Sequence, residues 1–250
     1  MFGIVTLPVI PVRETSSHRS EMISQLIFGE CFSVSDHIDG WIQIQNQNDH
    51  YIGWIEKKQI TEVDNDQVNQ WKNLPKRVVT NCMEEIFCKS TKSKMLIPAG
   101  AELPTQQSFT IGNLIFSSQE EQAINSDVNL LTNMFINAPY LWGGKTIFGF
   151  DCSGFSQTIF KILGHQLPRD AWQQAEMGVG VDFLEEVIAG DLAYFHNTEG
   201  KITHVGILLS PNKIIHCSGS VRIDAIDHHG IFQQELGAYT HELRFIKRVL

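Results

Sequence analysis

Tyr140-Leu-Trp-Gly-Gly-Lys-Thr-Ile-Phe-Gly-Phe-Asp-Cys-Ser-Gly-Phe155 places a cysteine directly behind a glycine-rich run. A helical pattern begins at the same point. Phe155, Ile159, Ile162 and Leu163 fall on one stripe, and Gly164 ends it. A thiol at a helix start faces unpaired N–H groups and the positive end of the helix dipole, and both favour the nucleophilic thiolate. The glycines admit close backbone approach, and nearby N–H groups could hold a developing oxyanion. A buried structural cysteine is the plainer alternative, because free Cys behaves as a small hydrophobe. The stretch alone leaves both readings open.

The residues that decide between them lie downstream. Asp191-Leu-Ala-Tyr-Phe195, Ile202-Thr-His-Val-Gly-Ile-Leu-Leu209 and Lys213-Ile-Ile-His-Cys217 read as strands, with a turn at Ser210-Pro-Asn212. A hairpin there carries His204 and His216 on neighbouring strands, its register open. Cys152, His204 and His216 then supply nucleophile, base and orienting group. Two core histidines bonded to carbonyls are the bland alternative. A metal site is the other, since catalytic zinc needs three protein ligands and a water. Neither HExxH nor paired CxxC occurs, and the adjacent His228 and His229 would point to opposite faces of an extended chain. No metal and no cofactor is expected, and His228, His229 and His241 receive no role.

Ahead of the cysteine the texture is β-rich. Short apolar runs such as Gly3-Ile-Val-Thr-Leu7 and Gly40-Trp-Ile-Gln-Ile-Gln45 predict a small barrel over residues 1–60. Residues 61–74 are polar and suit a linker with a short helix. Arg77-Val-Val-Thr80, Met95-Leu-Ile-Pro98 and Ile111-Gly-Asn-Leu-Ile-Phe116 predict a second, smaller barrel over 75–118. From 119 to 250 the pattern is a helical stretch over 119–137, bounded by Pro139, then the cysteine helix and the strand meander. Ser118 and Glu121 have capping-box spacing, and Ile124, Val128, Leu131 and Phe135 share a face. Helices followed by a meander predict an α+β class.

Composition excludes more than it assigns. The 250 residues hold 19 Lys and Arg against 28 Asp and Glu, a net charge of −9. Without a basic block such a chain is a poor binder of nucleic acid or anionic lipid. No apolar run approaches the roughly 20 residues of a bilayer span. The start, Met1 to Arg13, lacks a basic opening and is interrupted by Pro8 and Pro11, so a strand, no secretory signal and a cytoplasmic location are expected. Cys31, Cys82, Cys88, Cys152 and Cys217 form an odd set without a CxxC pair, which argues for free thiols.

The block of residues 140–155, followed by Leu167-Pro-Arg-Asp170, Ala189-Gly-Asp-Leu192, Thr203-His-Val-Gly-Ile207 and Ile214-Ile-His216, resembles the NlpC-type cell-wall cysteine peptidases. That resemblance covers about residues 139–217. It implies a papain-like cysteine peptidase fold with a Cys-His-His triad. The front of the chain is similar to bacterial SH3-type domains. Ser20-Glu-Met-Ile-Ser-Gln-Leu26 and Tyr51-Ile-Gly-Trp-Ile55 resemble the first such domain of the γ-D-glutamyl-L-diamino-acid endopeptidases, also called dipeptidyl-peptidase VI.

Carried over, the resemblance implies Cys152 as nucleophile, His204 as general base and His216 as its orienting partner. Tyr140 would line the oxyanion region and Ser153 would contact the peptide. Asp151 and Glu21 would pair with the free amine of an N-terminal L-Ala, with Tyr51 closing that end. The implied substrate is a murein peptide, L-Ala-γ-D-Glu-diamino acid, cut in peptidoglycan recycling. Many relatives have Ser after the Arg-Asp pair where this chain has Ala171, which removes a hydroxyl contact there. Each residue also has a structural reading: Asp151 a helix cap, Glu21 a surface charge, Tyr51, Tyr140 and Trp142 packing aromatics. Arg169-Asp170 reads as a local ion pair and Asp191 as a turn residue. A peptidase of intact peptidoglycan, a papain-like acyltransferase and a non-catalytic binding protein are the alternatives.

Overall fold

The computed structural model describes residues 1–118 and 127–250. The chain divides into two compact units, Met1–Ile124 and Asn125–Leu250.

In the first unit, seven antiparallel strands run in the order Met22–Ile27, Val9–Arg13, Ile52–Glu56, Trp41–Asn46, Cys31–Ile38, Phe2–Ile4 and Thr61–Val63. The hairpin between Cys31–Ile38 and Trp41–Asn46 closes on Asp39-Gly40, with φ of +46° and +83°. These are the left-handed values that a two-residue turn between twisted strands requires. Alternate residues of each strand point inward, so Ile10, Val12, Leu26, Phe32, Ile42, Ile44 and Ile55 form one core.

Residues 61–74 are not a free linker. Thr61–Val63 pairs with Phe2–Ile4, and a helix follows over Asn65–Asn73. Asp64 caps it in a reciprocal box with Gln67, at 2.7 and 3.0 Å. The polar residues counted as linker are the solvent face of this helix. Its other face buries Val68 and Trp71, whose Nε1–H donates to the Gly29 carbonyl at 2.9 Å. The core under Trp71 is continuous with Phe28 of the first barrel and with Val79, Ile86, Phe109 and Phe116 of the segment beyond. That segment holds a four-stranded sheet (Ser93–Pro98, Met83–Cys88, Leu114–Ser118, Ser108–Ile111) and the pair Lys76–Val78 with Glu102–Pro104.

The second unit is α+β, as the patterning predicts. Strand order is Val179–Val181, Ala238–Arg248, Leu192–His196, Ile202–Ser210, Lys213–Ser218, Ser220–Ile226 and Gly230–Gln233, and the last also pairs with Ala238–Arg248. The sheet therefore closes on itself. The helix Cys152–Ile162 packs on Ile202–Ser210 and Lys213–Ser218, with Phe155, Phe150 and Phe135 in edge-to-face contact beneath it. The stretch expected as a helix over 119–137 is helical only at Val128–Asn133, capped by Asp127, among the described residues. Residues 119–126, with Glu121 and Ile124, lie outside them. Asn137, at φ +70°, turns the chain before Pro139 can act as the stop. Among the described residues no helix is long and apolar enough to cross a membrane.

Candidate active site

Cys152 opens its helix because Asp151 ends the preceding strand in an extended conformation and caps the turn. The Asp151 carboxylate accepts the Gly154 N–H at 2.6 Å and the Gly143 N–H at 2.9 Å. The turn tolerates no side chain at residue 154, where a Cβ would lie 2.1 Å from the Gly144 carbonyl oxygen. Arg169 completes the anchor, bonding both Asp151 oxygens at 3.1 and 2.5 Å and the Ser153 hydroxyl at 3.0 Å.

This network bears on two assignments. The buried guanidinium of Arg169 pairs with Asp151, eighteen residues back, a long-range contact that the local reading did not foresee. Asp151 is buried, and both oxygens are occupied by backbone N–H groups, the Ser153 hydroxyl and Arg169. The cap reading describes it. The Ser153 side chain is turned into the same network, so what Ser153 offers the sulfur is its backbone N–H.

The strand hairpin supplies the imidazoles. His204 Nε2 and His216 Nδ1 are 2.9 Å apart. His216 stands opposite Gly206, where a Cβ would come within 2.9 Å of the His216 Cβ. A side chain at 206 would also meet Ile214, whose Cδ1 would lie 2.7 Å away. His216 Nε2 in turn lies 2.9 Å from Asp224 Oδ2, and Arg222 grips that carboxylate from Nε at 2.6 Å and from Nη2 at 2.7 Å. His241 stacks on His204 with ring centroids 4.1 Å apart.

Burial sets the electrostatics. Burial, then the Asp151 charge, pushes the Cys152 thiol up to about 12, against the pull of the Val205 and Ser153 N–H groups and Arg169. Burial and the neighbouring His216 and His241 hold His204 well below its ordinary value. The resting pair is a thiol and a neutral imidazole. The thiolate expected from the helix dipole alone is outweighed by desolvation. Sγ lies 4.0 Å from the Thr203 carbonyl, beside the His204 backbone. Tyr140 is half-exposed, and burial and the Cys152 charge push its phenol upward, so it remains a donor.

His204, His216 and His241 each offer a nitrogen within 4.8 Å of the others. The hydrogen bond at 2.9 Å holds two of these nitrogens closer than the roughly 3.3 Å that tetrahedral zinc sets between ligands. The donor set fits proton relay better than coordination. His228 and His229 do not oppose each other across a strand; their rings lie 4.0 Å apart, tilted by 44°, in a bend. Glu21 and Tyr51 belong to the first unit. They precede the two strands that flank Val9–Arg13, at the same end of the sheet, Glu21 exposed and Tyr51 half-buried.

Sequence reasoning missed Asp224, Arg222 and the stacking of His241. It read Asp191 correctly as a turn residue, its N–H donating to the Ile188 carbonyl at 3.2 Å, but missed that it is buried and paired with Arg248 at 2.8 and 2.7 Å. The alternation Arg222-Ile-Asp224 in the strand after His216 was the available signal.

A cysteine at a helix start, an imidazole pair on the facing strands and a closed α+β sheet define a papain-like cysteine hydrolase. Residues 137–240 match the NlpC/P60 family model, and residues 12–60 match the bacterial dipeptidyl-peptidase Sh3 domain. The second unit therefore carries an NlpC/P60 domain, with an SH3-type domain ahead of it in the chain. The chain is 44% identical over 99 residues to a gamma-D-glutamyl-L-lysine dipeptidyl-peptidase of Bacillus subtilis, covering 39% of this chain and 33% of that protein. It is 28% identical to the enzyme of the same name from Bacillus cereus, covering 89% and 76%. An NlpC/P60 family protein from Bacillus cereus shares the fold over both whole chains, with a TM-score of 0.84 at 20% identity.

Proposed function

We propose that this peptidase hydrolyses the γ-D-Glu–diamino-acid bond of murein peptides that carry a free N-terminal L-Ala, in peptidoglycan recycling. The observation that carries the reading is the alignment with a gamma-D-glutamyl-L-lysine dipeptidyl-peptidase across 89% of this chain, SH3-type domain included. Cytoplasmic action is part of the proposal. The described cysteines are all free thiols, which agrees with a reducing compartment.

The resting groups dictate the steps. His204 Nε2 is engaged with His216, which leaves Nδ1 to take the Cys152 proton as sulfur attacks the γ-carbonyl carbon. The Ser153 N–H and the Tyr140 hydroxyl are the candidate donors to the oxyanion. Collapse breaks the C–N bond, and His204 returns the proton to the departing amine of the diamino acid. Water then attacks the thioester, giving its proton to His204, and the thiol leaves with that proton. L-Ala-D-Glu is released.

Glu21 is proposed to accept the free amine, with Tyr51 beside it. A carboxylate that loses its ammonium partner on binding is left desolvated and unpaired, which would select against blocked substrates. The test compares kcat/KM on L-Ala-γ-D-Glu-meso-diaminopimelate and its N-acetyl form. Acetylation, and equally Glu21→Gln, should lower it by roughly a hundredfold. Equal cleavage of both forms would discard the free-amine requirement and favour intact wall as the substrate.

A further inference from the structure

We propose that Asp224 is a positioning residue of the catalytic relay, setting the tautomer of His216 and, through it, that of His204. An ionised carboxylate only accepts hydrogen bonds. Asp224 Oδ2 lies 2.9 Å from His216 Nε2, so that nitrogen carries the proton. In the neutral form of His216 that is its one N–H, and Nδ1 is then an acceptor. It faces His204 Nε2 at 2.9 Å, which must then donate. The lone pair of His204 is thereby held on Nδ1, the nitrogen left for the thiol proton. The inference rests on the cysteine-peptidase reading of Cys152 and His204 and adds a fourth residue to it.

The device is built rather than incidental. His216 and Asp224 are 1% and 8% exposed. Arg222 donates to both Asp224 oxygens at 2.6 and 2.7 Å and is itself held by Glu235 at 2.7 Å. The strand register provides the alignment: His216 stands opposite Arg222 and Ile214 opposite Asp224. Burial acts to raise the Asp224 carboxyl, but the bonds from His216 and Arg222 outweigh it and hold it at about 2. Asp224 therefore stays ionised and takes no proton during turnover. When His204 becomes an imidazolium, the charge of Asp224 reaches it through His216. A role limited to pairing Arg222 would leave the imidazole tautomers untouched.

The test reads the tautomers directly, by nitrogen NMR of the imidazole side chains in the full chain without substrate. In the unsubstituted protein both His204 and His216 should be protonated on Nε2. Asp224→Ala should scramble His216 between tautomers and lower both kcat/KM and the alkylation rate of Cys152, on the order of 10²-fold. Asp224→Asn, whose amide oxygen can occupy the Oδ2 position, should restore the Nε2–H form but only part of the rate, since it lacks the charge. A proton on Nδ1 of His216 in the unsubstituted protein would overturn the proposal. So would unchanged tautomers and rates in a folded Asp224→Ala. If that variant does not fold, the unsubstituted protein and Asp224→Asn decide the matter. Correct tautomers together with no cleavage of the murein peptide would uphold the relay and sink the proposed substrate.

Discussion

Cys152 and His204 rest uncharged, and that sets the pH behaviour. With the thiol pushed up to about 12, thiolate absorbance should stay absent at neutral pH and emerge only above about pH 10. A thiolate signal at neutral pH would contradict the resting state described. His204 is effective only when deprotonated, and burial holds it well below 6.5, so the acid limb of kcat/KM should fall below that value. The sign for stability follows from the same shift. Below pH 6.5 the unfolded imidazole binds a proton that the folded one refuses, so stability should decrease as pH falls. His241, held at about 4 by burial and His216, adds to the loss between 6.5 and 4. Urea midpoints on either side of pH 6.5 would show it. Arg169→Met should cost about 3–5 kcal/mol in the same assay, by leaving buried Asp151 without its counter-charge. Cys152, His204 and His216 could be singled out because each sits in a local pattern of helix start or strand, and the structure brings the two imidazoles within 2.9 Å. Asp224 and the pairing of Arg169 with Asp151 could not be, because both contacts arise from strand register and chain reversal.

At the scale of elements, the hairpin Ile202–Ser210 with Lys213–Ser218 does for the imidazoles what the capped helix does for the thiol. Gly206 is its control point. Gly206→Ala should displace the His216 ring and lower kcat by at least tenfold while the fold persists, since the sheet around it remains paired. Circular dichroism beside the rate measurement separates the two effects, and an unchanged rate would remove the spacing argument. Most elements here were readable from periodicity: the cysteine helix, the strand meander and the first barrel all fall where apolar residues repeat. The short helix expected in the polar stretch is Asn65–Asn73, but its packing was not legible, because only Val68 and Trp71 of its nine residues are buried. A helix with so narrow an apolar face looks like a polar linker until its tertiary contacts are known.

For the whole molecule, the two units carry separate parts of the account. The second unit holds Cys152, His204 and His216, proposed to make and break the bonds, and the first holds Glu21 and Tyr51, proposed to read the free amine. Fold class and the peptidase reading were legible because helix and strand patterns change abruptly before Cys152. The sequence was silent on how Asp151 is used, since a cap and an amine-binding carboxylate look alike without their partners. The most direct measurement is mass spectrometry of the products from L-Ala-γ-D-Glu-meso-diaminopimelate in water enriched in heavy oxygen, beside Cys152→Ala. Free diaminopimelate and L-Ala-D-Glu are expected, with one heavy oxygen on the γ-carboxyl and no product from the variant. Release at any other bond, or label incorporated by Cys152→Ala at the unsubstituted rate, would contradict the proposed hydrolysis.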